Sequence, residues 1–362
     1  MKPPVRPAVL ASPDYPFSPV DAAIKLDQNE SAEDFPAPLK ALVLERLAQQ
    51  DWHRYPDLNS DRLRAAIASH DSWPAPGVVV TTGSNVLISL LIQMSALEGR
   101  VITVKPNFAL YGLDARLLGA ALTEVPLKVD YTIDVDAVID ALTSTLPSDG
   151  PTRSAPAGVI YVPRPHAPTG SLVALQDLER LADASTGWLL VIDEAYHQFC
   201  GTDATALARR YPHVVLLRTF SKAWGLAGVR LGYALASDHI AAQLQKLVPP
   251  FAVSVMQTIC AEVALAHPGY MHDRVAATLA ERERVSAALA DYPSWQVIPS
   301  HGNFLLIRTP DAAAAFNALL ARGVLVRRQD SHPGLEGCIR VSIGTRADND
   351  AFLKAAGVGA SR

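Results

Sequence analysis

The chain is poor in cysteine: Cys200, Cys260 and Cys338 are its three, widely scattered and odd in number. That spacing offers neither a disulfide framework nor a metal-ligand cluster, so no metal site is expected and a reducing compartment is the default. A basic surplus is also missing. Lys and Arg total 32 against 36 Asp and Glu, a formal charge of −4, which argues against a nucleic-acid partner. No apolar run reaches membrane-spanning length. The first stretch, Met1 to Pro19, is proline-rich and has no apolar core of a secretion signal; it reads as an extended arm. There is no internal repeat. These absences lead to the expectation of a soluble, cytoplasmic protein that engages neither membrane nor nucleic acid.

What is present is the material of a two-domain globular protein: 362 residues, 49% apolar and 19% charged. Short apolar runs alternate with amphipathic stretches, the pattern of an α/β fold with a largely parallel sheet. Leu39, Leu42, Val43 and Leu47 recur at helical spacing and predict a helix over Pro38 to Gln49. Val78 to Thr82 reads as a strand, Gly83 as a tight turn and Val86 to Leu97 as a helix, a unit suited to holding an anion at the helix N-terminus. Further buried strands are predicted at Val101–Val104, Gly158–Val162, Leu189–Ile192 and Val214–Leu217, and Ser144 to Ala157 as a surface loop. From Phe251 the pattern changes. It predicts a long helical stretch to about Leu289, a strand at Asn303–Ile307, a helix at Ala312–Ala321, then strands at Val324–Arg327 and Cys338–Ile343. The division expected is residues 1–35 as an arm with part of the small domain, 36–250 as the large domain, and 251–362 as a smaller α+β domain.

Ligands of open α/β sheets bind beyond the carboxyl ends of the strands, and the chemically loaded residues follow the strand runs. The segment Thr219-Phe220-Ser221-Lys222, continuing to Arg230, places a lysine in a hydroxyl-rich turn directly after a strand, with an arginine eight positions on. An amine that can form an imine, with hydroxyls and a guanidinium to hold a phosphate, is the set that pyridoxal 5'-phosphate requires. One strand earlier, Val191-Ile192-Asp193-Glu194-Ala195-Tyr196 ends an apolar run with acids. Taken alone, Asp193 reads equally as a helix cap. Followed by Lys222, it reads as the carboxylate that keeps a pyridine nitrogen protonated, with Tyr196 reaching the ring's phenolic oxygen.

With these residues in view, the whole chain resembles the fold-type I aminotransferases, and within them the histidinol-phosphate aminotransferases. The matching stretches are Leu26-Asp27-Gln28-Asn29-Glu30, Arg54-Tyr55-Pro56-Asp57, Asp193–Tyr196, Thr219–Tyr233, Gly323–Arg327 and Arg340–Thr345. The resemblance implies a large domain with a mostly parallel central sheet, a smaller α+β domain, and a ping-pong exchange between histidinol phosphate and 2-oxoglutarate. It implies Lys222, Asp193 and Tyr196 as the catalytic set. Gly83, Ser84, Asn85, Thr219, Ser221 and Arg230 would hold the cofactor phosphate, and Phe108 would stack on the ring. Tyr55 is implied to reach the phosphate in a neighbouring subunit, hence a homodimer with shared active sites. Asn29, Glu30, Asn303, Arg327 and Arg340 are implied in the substrate pocket, with Arg328 a rival to Arg327. An arginine fork suits phosphate and carboxylate alike, so it does not separate the two substrate types.

Two positions depart from the family pattern. The asparagine usual before Pro-Thr-Gly is Ala167 here, and two acidic residues common after the glycine turn are Asn85 and Val86. Losing the asparagine leaves Tyr196 as the main donor to the ring oxygen, unless His166 or a water takes its place. Other readings stay open from the sequence: an aromatic amino-acid aminotransferase, a phosphothreonine-type decarboxylase that would release carbon dioxide without an oxo acid, and a non-enzymatic regulator that binds the cofactor.

Overall fold

The computed structural model describes residues 4–358 except 17, 98, 145–157 and 293; the surface loop expected at Ser144 to Ala157 lies almost wholly outside the described residues. Its centre is a seven-stranded sheet in the order Val78–Thr81, Gly232–Leu235, Val214–Thr219, Leu189–Asp193, Val159–Pro163, Arg100–Lys105, Ala121–Pro126. Gly232–Leu235 is antiparallel to both neighbours, and the other pairings are parallel. The apolar runs make this possible because both faces are buried. Val78, Val80, Ile102, Val104, Ile160, Val162, Leu190 and Ile192 feed one core, while Val79, Val101, Val159, Tyr161, Leu189 and Val191 feed the other, the two-residue alternation that a pleated strand imposes.

The predicted strands are present with ends displaced by a residue or two. The helix expected at Val86 starts earlier, at Ser84, with Gly83 (φ 88°) as its N-cap. The long helical stretch expected from Phe251 to about Leu289 consists of two helices, Val255–Ala266 and Gly269–Ala290. Pro268 divides them, because proline has no N–H to give to the preceding turn. The strand expected at Val324–Arg327 also divides. Val324–Leu325 pairs in parallel with Ile24–Lys25, whereas Arg327–Arg328 pairs with Cys338–Ser342.

That last pairing belongs to a four-stranded antiparallel sheet, Arg327–Arg328, Cys338–Ser342, Phe304–Arg308, Gln296–Ile298. Leu305, Ile307, Ile339, Val341, Val285, Leu289 and Phe352 form its core. Ile259, Cys260, Val263 and Met271 pack instead into the core of the seven-stranded sheet. The segment Leu26–Glu30 runs between the two sheets and closes the site from one side: Ser342 N–H donates to the Leu26 carbonyl at 2.9 Å, and Asn29 N–H to Ser342 Oγ at 2.8 Å.

Candidate active site

A cavity of about 490 Å³ opens at the carboxyl ends of the parallel strands. Asp193 and Thr219 end two of those strands, and Phe108 follows a third, Arg100–Lys105. Beneath the Asp193–Tyr196 turn lies a buried ion network. Arg218 donates through Nε (2.9 Å) and Nη2 (2.7 Å) to Glu194 Oε2 and through Nη1 (2.7 Å) to Asp71, and Ala204 N–H reaches Glu194 Oε1 at 2.6 Å. Burial without such pairing would be costly for each of these charges. The network ties the turn carrying Asp193 to the strand carrying Thr219.

One end of the cavity is an anion cradle. The helix Ser84–Ser95 points its N-terminus there, with unsatisfied amides and a positive dipole end. A Cβ on Gly232 would overlap the Ser84 nitrogen, so only glycine lets the strand pass this close. A Cβ on Gly83 would lie 2.6 Å from Arg230 Nη2, which puts that guanidinium against the helix start. Thr219 and Ser221 share a hydroxyl–hydroxyl bond of 3.0 Å at the same end.

In the middle sits Asp193, buried. Tyr111 O–H donates to its Oδ2 at 2.6 Å and Ala195 N–H to its Oδ1 at 3.0 Å. Burial raises its proton affinity, and the two donors oppose that rise. Lys222 Nζ donates to the Gln28 carbonyl at 2.9 Å and lies over the Tyr196 ring at 5.7 Å. The Tyr196 hydroxyl accepts from Asn29 Nδ2 at 3.0 Å, which leaves its own proton for an acceptor in the cavity.

At the far end, Arg340 lies over the Phe304 ring (5.6 Å) and gives Nη2 to the Asp27 carbonyl at 2.7 Å. Its Nε is buried without a hydrogen-bond partner among the described residues. Burial depresses its pKa, and nearby Arg327 adds to the depression. A donor left without a partner and a depressed guanidinium both call for an anion. Arg327 lines the cavity and donates to the Pro16 carbonyl at 2.7 Å. Arg328 is paired with Asp330 at 2.6 Å and does not line it. Strand alternation thus separates the two arginines.

Of the residues expected at the site, Lys222, Asp193, Tyr196, Ser84, Asn85, Phe108, Thr219, Ser221, Arg230, Glu30, Arg327 and Arg340 line this one cavity. Asn29 and Asn303 do not form its wall. Both are buried behind it: Asn303 Nδ2 donates to the Asn29 and Glu30 carbonyls at 3.1 and 3.2 Å. Tyr55 lies away from its own chain's cavity, 82% exposed and stacked on Phe251 at 4.7 Å. His166 does not replace the missing asparagine. Its Nδ1 meets Thr169 Oγ1 (2.7 Å) and its Nε2 the Pro106 carbonyl (2.9 Å), and burial lowers its pKa to about 4. Ala167 itself lines the cavity with a methyl group. Tyr111, Gln329, His332 and Tyr15 also line it and were not expected. Tyr111 was within reach of sequence reading, because it falls three residues after Phe108, on the same side of a helical turn.

These residues fit pyridoxal 5'-phosphate. The cradle matches a phosphate dianion, the buried Asp193 matches a protonated ring nitrogen, Lys222 matches the aldehyde, and the glycines leave room for the close approach.

The chain is similar to known proteins. The family "Aminotransferase class I and II" matches residues 10–355. The histidinol-phosphate aminotransferase of Deinococcus radiodurans is 47% identical over 97% of this chain and 95% of its own length. That of Thermococcus kodakarensis is 39% identical over 92% of this chain and 91% of its own. Among solved structures, histidinol-phosphate aminotransferase from Sinorhizobium meliloti, in complex with pyridoxal-5'-phosphate, superposes with a TM-score of 0.81 and 27% identity, covering 93% of this chain and 90% of that one.

Proposed function

The chain belongs to the class I and II aminotransferases, and within them to the histidinol-phosphate aminotransferase family, and from this we propose that it transfers the amino group of histidinol phosphate to 2-oxoglutarate, yielding imidazole acetol phosphate and glutamate. It is a pyridoxal-phosphate enzyme. When bound, the cofactor supplies an aldehyde that condenses with amines and a ring that accepts electrons from the carbon losing a proton. Everything else falls to the protein.

Lys222 Nζ would be the amine that holds the aldehyde, and the same amine, when free, would take up and return the substrate's proton. Asp193, whose carboxylate form is favoured by the Tyr111 and Ala195 donors against the cost of burial, would supply the counter-charge that keeps the ring nitrogen protonated. Tyr196 donates its hydroxyl proton to the ring oxygen, since Asn29 already occupies the tyrosine oxygen from the other side. Arg230, Thr219, Ser221 and the amides of Ser84 and Asn85 hold the phosphate, and Phe108 covers the ring. Arg340 and Arg327 hold the substrate anion, a phosphate in one half-reaction and a carboxylate in the other. The observation that carries this reading is that one cavity is lined together by Ser84 and Arg230, the buried carboxylate of Asp193, the amine of Lys222, and Arg327 and Arg340.

The test is a half-reaction. Histidinol phosphate added to the holoenzyme without an oxo acid bleaches the cofactor's visible absorbance, and 2-oxoglutarate restores it. Conversion by phenylalanine or tyrosine alone would move the substrate to aromatic amino acids. Release of carbon dioxide with no oxo-acid requirement would move the chain to decarboxylation.

A homodimer with shared sites is part of the proposal. Trp52, Tyr55, Leu58, Phe251 and Met256 are all exposed, in segments held together where Phe251 N–H meets the Leu58 carbonyl. An apolar patch of this kind suits burial against a second copy, carrying Tyr55 to the neighbour's phosphate cradle. No helix among the described residues is long and apolar enough to cross a membrane, and the proposed compartment is the cytoplasm. The proposed division keeps a large and a small domain but places the hand-over within Gly269–Ala290, since Met271 packs with the first core and Leu289 with the second.

A further inference from the structure

We infer that Tyr111 is a positioning residue for Asp193, fixing the plane and charge of the carboxylate that faces the cofactor's ring nitrogen. The inference rests on the role proposed above for Asp193. Tyr111 is 1% exposed, and its hydroxyl is 2.6 Å from Asp193 Oδ2. The phenol must be the donor, because an ionised carboxylate only accepts. Ala195 N–H holds Oδ1 at 3.0 Å. With one donor on each oxygen, the carboxylate cannot rotate, and the cavity it lines offers its remaining lone pairs a ligand cation.

The tyrosine is itself clamped. Its ring stacks on Tyr161 at 4.8 Å and 10°, and meets Phe108 edge-on at 5.8 Å and 82°. Tyr161 in turn gives its hydroxyl to the Ile88 carbonyl at 2.7 Å. Ile88 lies in the helix whose N-terminus forms the phosphate cradle. The stack therefore links that helix to Asp193 and to the ring expected to cover the cofactor. A buried carboxylate without donors is driven toward its protonated, neutral form, and a neutral acid offers a pyridinium no counter-charge. The hydroxyl of Tyr111 opposes that drive.

The experiment is a double-mutant cycle on cofactor retention, using holoenzyme of wild type, Y111F, D193N and the double variant, with Y161F as control. Y111F deletes one oxygen and leaves the ring in the stack. A lost hydrogen bond to a charged group predicts cofactor release about 10- to 100-fold faster than wild type. In the D193N background the same substitution changes release by less than about twofold, since no charge is left to orient. The pH midpoint of the bound cofactor's visible band rises in Y111F, because a weaker positive charge on the ring withdraws less from the lysine nitrogen. Y161F, which keeps the Tyr111–Asp193 bond but loses the contact to Ile88, lowers retention less than Y111F does.

Retention of Y111F within twofold of wild type, equal losses in Y111F and Y161F, or fully multiplicative effects of Y111F and D193N would each reduce Tyr111 to core packing. Failure of Y111F apoprotein to fold would do the same. If D193N itself retains the cofactor like wild type, the role of Asp193 is what fails.

Discussion

Replacing Arg340 with methionine removes the guanidinium and keeps most of the apolar stem. In the folded protein Arg340 gives one hydrogen bond to the Asp27 carbonyl and lies over Phe304, with Nε buried and unpartnered among the described residues. Its pKa is depressed by burial and by Arg327. The charge is thus held at a cost that a bound anion offsets. Two charge-assisted hydrogen bonds to that anion, at about 1.5–2 kcal/mol each, sum to about 3–4 kcal/mol. At 1.36 kcal/mol per decade, kcat/KM should fall by about 100- to 1,000-fold. The fall is expected in both half-reactions, measured separately by stopped-flow with histidinol phosphate and with 2-oxoglutarate. Melting of the apoprotein should stay within about 2 °C of wild type, or rise, because a lost hydrogen bond is traded for relief of a buried charge. Arg340→Lys should recover only part of the activity, since an ammonium has no fork. The reasoning is refuted if R340M loses less than tenfold in both half-reactions, or if its activity loss merely follows a fall in melting temperature.

Three further outcomes are expected. Gly232→Ala forces a Cβ into the Ser84 nitrogen, so it should loosen cofactor retention and cost about 1–3 kcal/mol of stability by urea titration. Unchanged retention would show that the helix start is not the cradle. Asp114 is partly buried and its pKa is raised to about 6 by desolvation. An acid whose folded pKa is raised stabilises the fold fully only below its unfolded value, and that stability is lost as pH rises from about 4 to about 6. Asp114→Asn should therefore match wild type in melting near pH 4 and exceed it above pH 6; a constant difference across that range would rule out the titration. Finally, mixing Lys222→Ala with Tyr55→Ala subunits should restore about a quarter of wild-type activity if sites are shared across a dimer, whereas no recovery would leave Tyr55 without a role in a neighbour's site.

Local chemistry was open to reading from the sequence alone. A short β-branched run, a glycine and an apolar helical stretch specify the unit over residues 78–95 because turn and periodicity are properties of neighbouring residues. The same holds for Lys222 among its hydroxyls and for Asp193 at a strand end. Pro268 was an equally local signal for a helix break. Other features came only from packing. Arg327 and Arg328 are adjacent and chemically identical, and only pairing against Cys338–Ser342 decides that the first turns to the cavity and the second to Asp330. Asn29 and Asn303 seemed to be pocket wall until the fold put them behind Tyr196 and Glu30. Tyr111 and Asp193 lie 82 residues apart, and the Pro106 carbonyl that occupies His166 Nε2 lies 60 residues away. Strand alternation and long-range hydrogen bonds are settled by which surfaces meet, and one-dimensional spacing carries no record of that.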